Sequence, residues 1–523
     1  MSKHESRVAK SRTKRPAAAK GDSAKSRAGG PNGLMEMNEA ISFLKTTRPT
    51  FYRWLRSGKV RGLKVGRQWR FRRPDLERFL EGQGPRVDLR VSIGPLVEAL
   101  AARAREAGVR EDPAPGADQL ARAVRLMIGL AGAGRASDLH LTPHLFPGSA
   151  QSVAVLRLRI DGVLQEAARF DVRLLPAVIE GWKRQTACDL HEKDRPQDGR
   201  VVLKASEFVG SPQDRVIDLR SCFLPTALGE SLTARLLAEV SSVSLQLDRI
   251  GYAAADLERI QRALEAPWGL ILATGPTGSG KTTALYSCLM RLAAPERKIV
   301  SVEDPIEYLL PWTTQVAVKE SAGLTFARAM RAILRSDPDV ILVGEIRDRE
   351  SLLVAQQAVL TGHLVLSTLH TEEAAGALRR MVDMGAEPFL VTDSTRLVIS
   401  QRLLRRLCSE CSREAAPAQE LLDRAAQAAR LGGVEVERLP GKFREPVGCP
   451  KCARTGFRGR LAAAEVLEMT REIGAALRRG AALDELRGIA VGQGMTTMAA
   501  DGLRRAAEGQ TSLAEVARCL GLR

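Results

Sequence analysis

Between Gly275 and Thr283 the chain sets glycines, a lysine and several hydroxyls at a spacing suited to phosphate chemistry. The run Gly275-Pro276-Thr277-Gly278-Ser279-Gly280-Lys281-Thr282-Thr283 satisfies GxxxxGK[ST] from Gly275 to Thr282. Glycines let successive backbone N–H groups curl toward phosphate oxygens, and the helix N-terminus that follows such a loop adds a favourable dipole. Lys281 is expected to reach the β- and γ-phosphates, and Thr282 to ligand Mg²⁺ through its hydroxyl. The motif needs a strand before it and a helix after it. Leu270 to Thr274 is an apolar run of buried-strand type, and Thr282 to Leu292 has a helical pattern. These residues imply nucleotide binding.

A second chemical signal is four thiols in two pairs, Cys408-Ser409-Glu410-Cys411 and Cys449-Pro450-Lys451-Cys452. Each CxxC can give two thiolates to one tetrahedral Zn²⁺, closing a structural site. The alternative is four unligated buried thiols. The other cysteines, Cys188, Cys222, Cys288 and Cys519, are scattered, which suits a reducing compartment better than a disulfide framework. The chain is 44% hydrophobic over 523 residues, enough for several real cores. No apolar run approaches the ~18 to 20 residues that span a bilayer, and no apolar signal-peptide core opens the sequence. A cytoplasmic protein is expected.

The elements around these motifs are unevenly charged. Residues 1–33 hold nine Lys/Arg against two Asp/Glu and residues 34–82 hold twelve against five, so +14 of the net +18 falls in the first 82 residues. Residues 1–33 lack large apolar side chains and are expected to be disordered, either a basic arm for phosphate or anionic lipid or a solubilising tail. Within 34–82, Met37, Ala40, Ile41 and Leu44, then Phe51, Trp54 and Leu55, sit at helical spacing on either side of a turn at Thr46-Thr47-Arg48-Pro49. Leu63 to Phe71 alternates across a glycine turn like a small wing, and Pro74 begins a third helix. This stretch resembles the excisionase/MerR-type winged helix-turn-helix. The resemblance implies that Thr50, Tyr52, Arg53 and Arg56 lie on the recognition helix and that Arg67 and Arg70 belong to the wing. DNA binding and docking of a protein partner both remain open. Residues 83–118, rich in Gly and Pro around one helical pattern at Leu96 to Glu106, are expected to be a linker.

From about Gly134 to Leu520 the motif order resembles the bacterial type II secretion and type IV pilus assembly ATPases, the GspE/PilB family. The carriers are Gly134-Arg135-Ala136-Ser137-Asp138, Asp218-Leu219-Arg220, Arg235, the P-loop, Glu303-Asp304-Pro305, Gly344-Glu345, Thr361-Gly362-His363, His370-Thr371 and the cysteine pairs. The resemblance implies an α/β fold class: a PAS-like α/β domain (119–243), a RecA-like P-loop ATPase domain (244–400), a tetracysteine subdomain (401–470) and a C-terminal helical region (471–523). It implies that Arg220 and Arg235 contact the γ-phosphate from a mobile domain and that Glu303 and Glu345 are the acidic groups of the reaction. His363 and His370 would sense or position phosphate, although their seven-residue spacing also suits packed core histidines. Ser221-Cys222-Phe223, Ser336 and Glu372 depart from the family pattern without removing a catalytic group. ATP, Mg²⁺ and Zn²⁺ are the implied cofactors. A homo-oligomeric ring, most simply a hexamer, and an inner-membrane platform protein are the implied partners, with the protein peripheral at the inner membrane. The competing reading is a DNA-directed ATPase acting through residues 34–82.

Overall fold

The computed structural model describes residues 34–56, 60, 62–65, 68–80, 92–109, 118–146, 152–204, 216–238, 245–432 and 441–521. It divides into two units, Met1–Leu89 and Arg90–Arg523. The basic tail expected at 1–33 and the wing residue Arg67 lie outside the described residues.

In the first unit the helices Met37–Phe43 and Arg48–Arg56 are followed by the strands Leu63–Val65 and Gln68–Arg72 and the helix Arg73–Leu80. The strand pair is antiparallel, as a wing requires. A third strand, Leu34–Glu36, pairs with Gln68–Arg72; three residues are too short for an alternation to be read in advance. Ala40, Leu44, Phe51, Val60, Phe71 and Leu76 form the core, with the Phe51 and Phe71 rings edge to face at 5.0 Å.

In the second unit, an N-terminal lobe is built on a six-stranded antiparallel sheet. Its order is Val163–Asp171, Ser152–Ile160, Asp138–Leu145, Gly229–Ala238, Val216–Thr226, Gln197–Lys204. The helices Gly94–Glu106, Gln119–Ala133 and Leu175–Gln185 belong to the same core as the sheet. This corrects the expectation of a linker over 83–118 where it covered Gly94–Glu106. Leu96, Val97, Leu100, Ala101 and Ala104 make an apolar stripe on Gly94–Glu106, and it is buried in that core; a stripe of this kind needs a partner surface.

The larger sheet has seven strands in the order Thr313–Ala317, Ile299–Glu303, Val340–Val343, Leu364–Leu369, Gly269–Thr274, Thr395–Leu407, Phe457–Glu468. Neighbours are parallel except the last pair. Gly269–Thr274 is buried at every position. Burial on both faces explains why the parallel strands read as continuous apolar runs rather than alternating ones. In open sheets of this kind ligands bind beyond the carboxyl ends of the strands. Among the described residues, no helix is long and apolar enough to cross a membrane.

The helix Leu513–Leu520 is tied to Thr395–Leu407 through Glu515, whose fully buried carboxylate meets Arg405 at 2.7 Å and Arg518 at 2.6 Å. Burial pushes this carboxyl upward, but the bonds from Arg518, Arg405 and the Arg405 backbone N–H bring it down to about 2. The ordinary unfolded value is about 4.3. With the folded value depressed, the stabilisation is present above about pH 4 and lost as pH falls towards about 2. Glu515→Gln is therefore expected to cost about 3 kcal/mol at neutral pH, because the mostly buried Arg405 and the half-exposed Arg518 lose the carboxylate they share. Urea unfolding across the acid range should show the gap between wild type and variant closing from about pH 4 to about pH 2. A gap constant over that range would remove Glu515 as its source.

Candidate active site

The loop after Gly269–Thr274 turns into the helix Lys281–Leu292, whose Ala284, Leu285, Cys288, Leu289 and Leu292 are buried. Gly275 has φ +139°, and a Cβ there would stand 2.5 Å from the Gln401 carbonyl oxygen. Only glycine lets this strand lie so close. Gly280, at φ +91°, caps the helix in the left-handed region. The loop from Pro276 to Thr283 lines an open cleft of about 890 Å³. Lys281 Nζ donates to the carbonyls of Gly275 at 2.7 Å and Pro276 at 3.2 Å and stands 3.4 Å from His370 Nδ1. Burial lowers the Lys281 pKa, and the nearby Glu345 charge opposes that shift. The cradle fits an anion. Ser279 Oγ is buried with no partner among the described residues, in the loop that leads into the N-terminus of the helix Lys281–Leu292.

Glu345 follows the strand Val340–Val343 and faces the same cleft. Its carboxylate lies 3.4 Å from His370 Nε2 and is in close contact with the Arg347 guanidinium. Glu303 ends the strand Ile299–Glu303 and is buried. Its Oε1 accepts from Ser301 Oγ at 2.5 Å and Gln315 Nε2 at 3.1 Å, while Oε2 takes the Tyr286 hydroxyl. Burial, and then the bond to Glu303, push the Tyr286 pKa far up, so Tyr286 remains the donor.

The structure joins Lys281, Glu303, Glu345 and His370 at one cleft and leaves His363 out of it. Leu364 pairs with Gly269 and Leu369 with Thr274 in parallel register. His363 therefore stands at the amino end of the strands and His370 at the carboxyl end beside the P-loop, roughly 20 Å apart at ~3.3 Å per residue. His363 instead bonds the Ala358 carbonyl at 2.8 Å and lies 3.1 Å from Thr361 Oγ1, so its expected place beside the phosphates is corrected. Arg235 reaches the cleft from the N-terminal lobe, whereas Arg220 is not among the lining residues. Arg220 donates to the Ile306 carbonyl at 3.3 Å and lies near Glu307, whose pKa burial raises while Arg235 and Arg220 oppose the shift.

Gln401 was not visible as a site residue. Its Nε2 donates to the Ser279 carbonyl at 2.9 Å, and its Oε1 accepts the Tyr252 hydroxyl at 2.5 Å, bracing the phosphate loop from the neighbouring strand. The available signal was an amide directly after the apolar run Leu397-Val398-Ile399 and Ser400.

The four paired cysteines converge, with their sulfurs within 4.8 Å of one another. Individual separations are 3.9 Å for Cys408–Cys449, 3.8 Å for Cys411–Cys452 and 3.7 Å for Cys449–Cys452. A tetrahedral zinc with Zn–S near 2.3 Å has S···S edges of about 3.8 Å, so the set fits that ion and no disulfide. Backbone N–H groups of Gly448, Cys449 and Gly456 point at Cys411 and Cys452 sulfurs at 3.1 to 3.3 Å, as thiolate ligands require.

Fold and site together define a P-loop nucleotide-binding α/β protein with an opposing arginine-bearing lobe, a tetracysteine site and a helix-turn-helix unit. Residues 114–518 match the family described as "Type II/IV secretion system protein", and the chain belongs to that family. Residues 34–84 separately match a "Helix-turn-helix domain". The chain is 42% identical over 412 residues to the type II secretion system protein E of Pectobacterium carotovorum, covering 78% of this chain and 76% of that one. It is 41% identical over 381 residues to the type IV pilus assembly ATPase PilB of Thermus thermophilus, covering 73% of this chain but only 41% of that longer relative. The ATPase DotB of Yersinia pseudotuberculosis shares the fold at a TM-score of 0.56 and 17% identity, over 79% of this chain and 97% of that one. The Legionella pneumophila DotB does so at 0.51 and 20%, over 75% and 93%.

Proposed function

We propose that this chain is the ATP-hydrolysing motor of a type II secretion or type IV pilus assembly machine. The observation that carries the reading is a cleft with Lys281, Glu345 and His370 on one wall and Arg235 of the N-terminal lobe on the other. A nucleoside triphosphate between them would draw the two lobes together, and its hydrolysis would release them. Lys281 and the loop N–H groups bind the β- and γ-phosphates. Glu303 and Glu345 orient the attacking water, and His370 holds Glu345 and Lys281 in register. Arg235 takes up charge developing on the γ-phosphate, and Arg220 holds the acidic loop at Ile306 against the N-terminal lobe. Thr282 and Glu345 are the groups that would hold Mg²⁺, which neutralises phosphate charge when bound. A closed ring of six copies, acting on an inner-membrane platform protein from the cytoplasmic side, converts this cycle into fibre assembly or protein export. The test is genetic. Host cells carrying Lys281→Ala in place of the wild-type copy are expected to lose surface fibres or an exported protein, and retention of both would overturn the reading.

A second reading concerns residues 34–80 alone and is favoured by the exposure of Arg48 and Arg53 on the helix Arg48–Arg56. That helix, with Thr50, Tyr52 and Arg56 also on it, suits a duplex DNA backbone and major groove. Arg70 is engaged by Glu36 at 2.9 Å and by Gln68, so Arg53 is the better probe. In the full chain, Arg53→Ala is expected to weaken duplex binding and lower the salt slope by about 1. Absence of duplex binding at physiological salt would leave the unit as a protein-docking module.

A further inference from the structure

The strand register of the N-terminal lobe places an acid between two arginines. Asp138 is the cross-strand partner of Arg159 on one side and of Arg235 on the other. Arg235 is in turn opposite Arg220, and Arg220 opposite Arg200, so the row crosses five strands on one face of the sheet. The members are not equivalent. Arg200 is neutralised by Asp218 through two bonds of 2.8 and 2.9 Å. Arg220 is spent on the Ile306 carbonyl. Asp138, Arg159 and Arg235 all line the nucleotide cleft.

The contacts of Asp138 are made in a particular way. Its side chain is 11% exposed, while that of Arg235 is 62% exposed. Asp138 Oδ1 accepts from Arg235 Nε at 3.1 Å, and Oδ2 lies 3.7 Å from Arg159 Nε and accepts from Ser137 Oγ at 2.8 Å. In both arginines the atom facing the acid is Nε, the guanidinium nitrogen nearest the main chain. For Arg235 this hydrogen bond fixes the plane of the group without using its terminal nitrogens, the pair that grips phosphate oxygens in parallel, whereas the 3.7 Å approach of Arg159 is an ion-pair contact longer than a hydrogen bond. Arg159 Nη1 also donates to the Gly162 carbonyl at 3.1 Å, which restrains that side chain further.

We infer that Asp138 is a positioning residue for phosphoryl transfer, its recessed carboxylate holding Arg235 by the Nε hydrogen bond and Arg159 by the longer ion pair, so that the terminal nitrogens of Arg235 and Nη2 of Arg159 face the phosphate chain of a nucleotide on the P-loop. This inference rests on the ATPase reading. Arg159 becomes a second arginine of the opposing wall, one that no motif had singled out. The carboxylate also offsets one of the two positive charges, which lets the pair stand side by side without nucleotide.

The test is steady-state Mg²⁺–ATP hydrolysis by the full chain. Asp138→Asn removes the charge at constant size, and Asp138→Glu keeps the charge but displaces it by one methylene. Both are expected to lower kcat about 10- to 100-fold, because small misplacements of a group that acts in the transition state cost this much. KM should stay within about threefold, as expected when only a transition-state interaction is lost. In an Arg159→Lys/Arg235→Lys background, where no Nε remains, Asp138→Asn should change kcat by less than about threefold, since partners acting as a unit are non-additive. Wild-type kcat in either Asp138 variant, or an undiminished loss in the lysine background, overturns the inference. Should Asp138→Asn fail to fold, Asp138→Glu, which retains the counter-charge, decides alone. Lys281→Ala runs alongside. If wild type shows no Lys281-dependent turnover, the ATPase reading itself fails; if it does while the Asp138 variants match it, only the positioning role falls.

Discussion

Lys281→Ala is expected to reduce ATP turnover by on the order of a thousandfold, comparable to losing a preorganised electrostatic group aimed at developing charge. The lysine is held ready: its ammonium already spans the Gly275 and Pro276 carbonyls at the mouth of the loop. Burial lowers its pKa, which marks a cation kept partly desolvated where a polyanion would compensate it. Removing a charge that pays a desolvation penalty does little harm to the resting fold, so thermal unfolding without nucleotide should shift by only about 1 kcal/mol or less. Adding nucleotide should raise the wild-type midpoint by mass action, and that rise should shrink in the variant. Phosphate release and thermal scans with and without nucleotide check both halves. Turnover within about tenfold of wild type would remove Lys281 from the role. Glu345→Gln separates binding from chemistry, because it leaves the loop and lysine intact. Its nucleotide-induced stabilisation should persist while turnover is lost.

What could be read in the sequence was whatever is local along it. The P-loop is nine consecutive residues whose function depends on their own backbone, and the cysteine pairs are knuckles complete within four residues each. The helix-turn-helix core from Ala40 to Leu76 likewise follows from helical spacing over a few turns. Properties set by pairing between distant strands were hidden. His363 and His370 look equivalent in sequence, yet they bracket the strand Leu364–Leu369 and so fall at opposite ends of the sheet. Asp138 and Arg235 are 97 residues apart and meet because two antiparallel strands pair in one register. The same holds for Gln401, which reaches the P-loop across 122 residues. The helix Gly94–Glu106 is legible from its own pattern, but its place in a core is not, for a related reason. Breakers at 82–85 and 112–116 suggested a spacer, while the surface that buries its apolar stripe is supplied by later parts of the chain.

Removing zinc is expected to have the largest effect on stability. Structural zinc sites contribute about 10 to 16 kcal/mol of apparent binding energy in isolated fingers, against about 5 to 15 kcal/mol for the net stability of a domain. No single core truncation approaches that. Beyond the backbone N–H bonds to their sulfurs the knuckles have little scaffold of their own: Cys411 and Cys449 are only partly buried, and the flanking strands, Arg413–Glu414 and Arg444–Glu445, are two residues long. Cys452→Ser, or incubation with a strong chelator, should therefore unfold the segment between Cys408 and Gly456 before the rest. The loss should stay local at first, because Phe457–Glu468, the next element, is the last strand of the large sheet and pairs along Thr395–Leu407 from Leu407 to Leu397. The segment is tied to the rest through its helix Gln419–Leu431, whose Ala425 and Ala429 share a core with Leu461, Met498 and Leu503, and through the Lys442 N–H, which donates to the Ala507 carbonyl at 2.8 Å. Elemental analysis should find about one zinc per chain. Limited proteolysis after chelation should cut within 408–456 while the P-loop core stays protected. Four free thiols titrating in the native, metal-free protein with unchanged protease resistance would show that the cluster holds its shape without zinc.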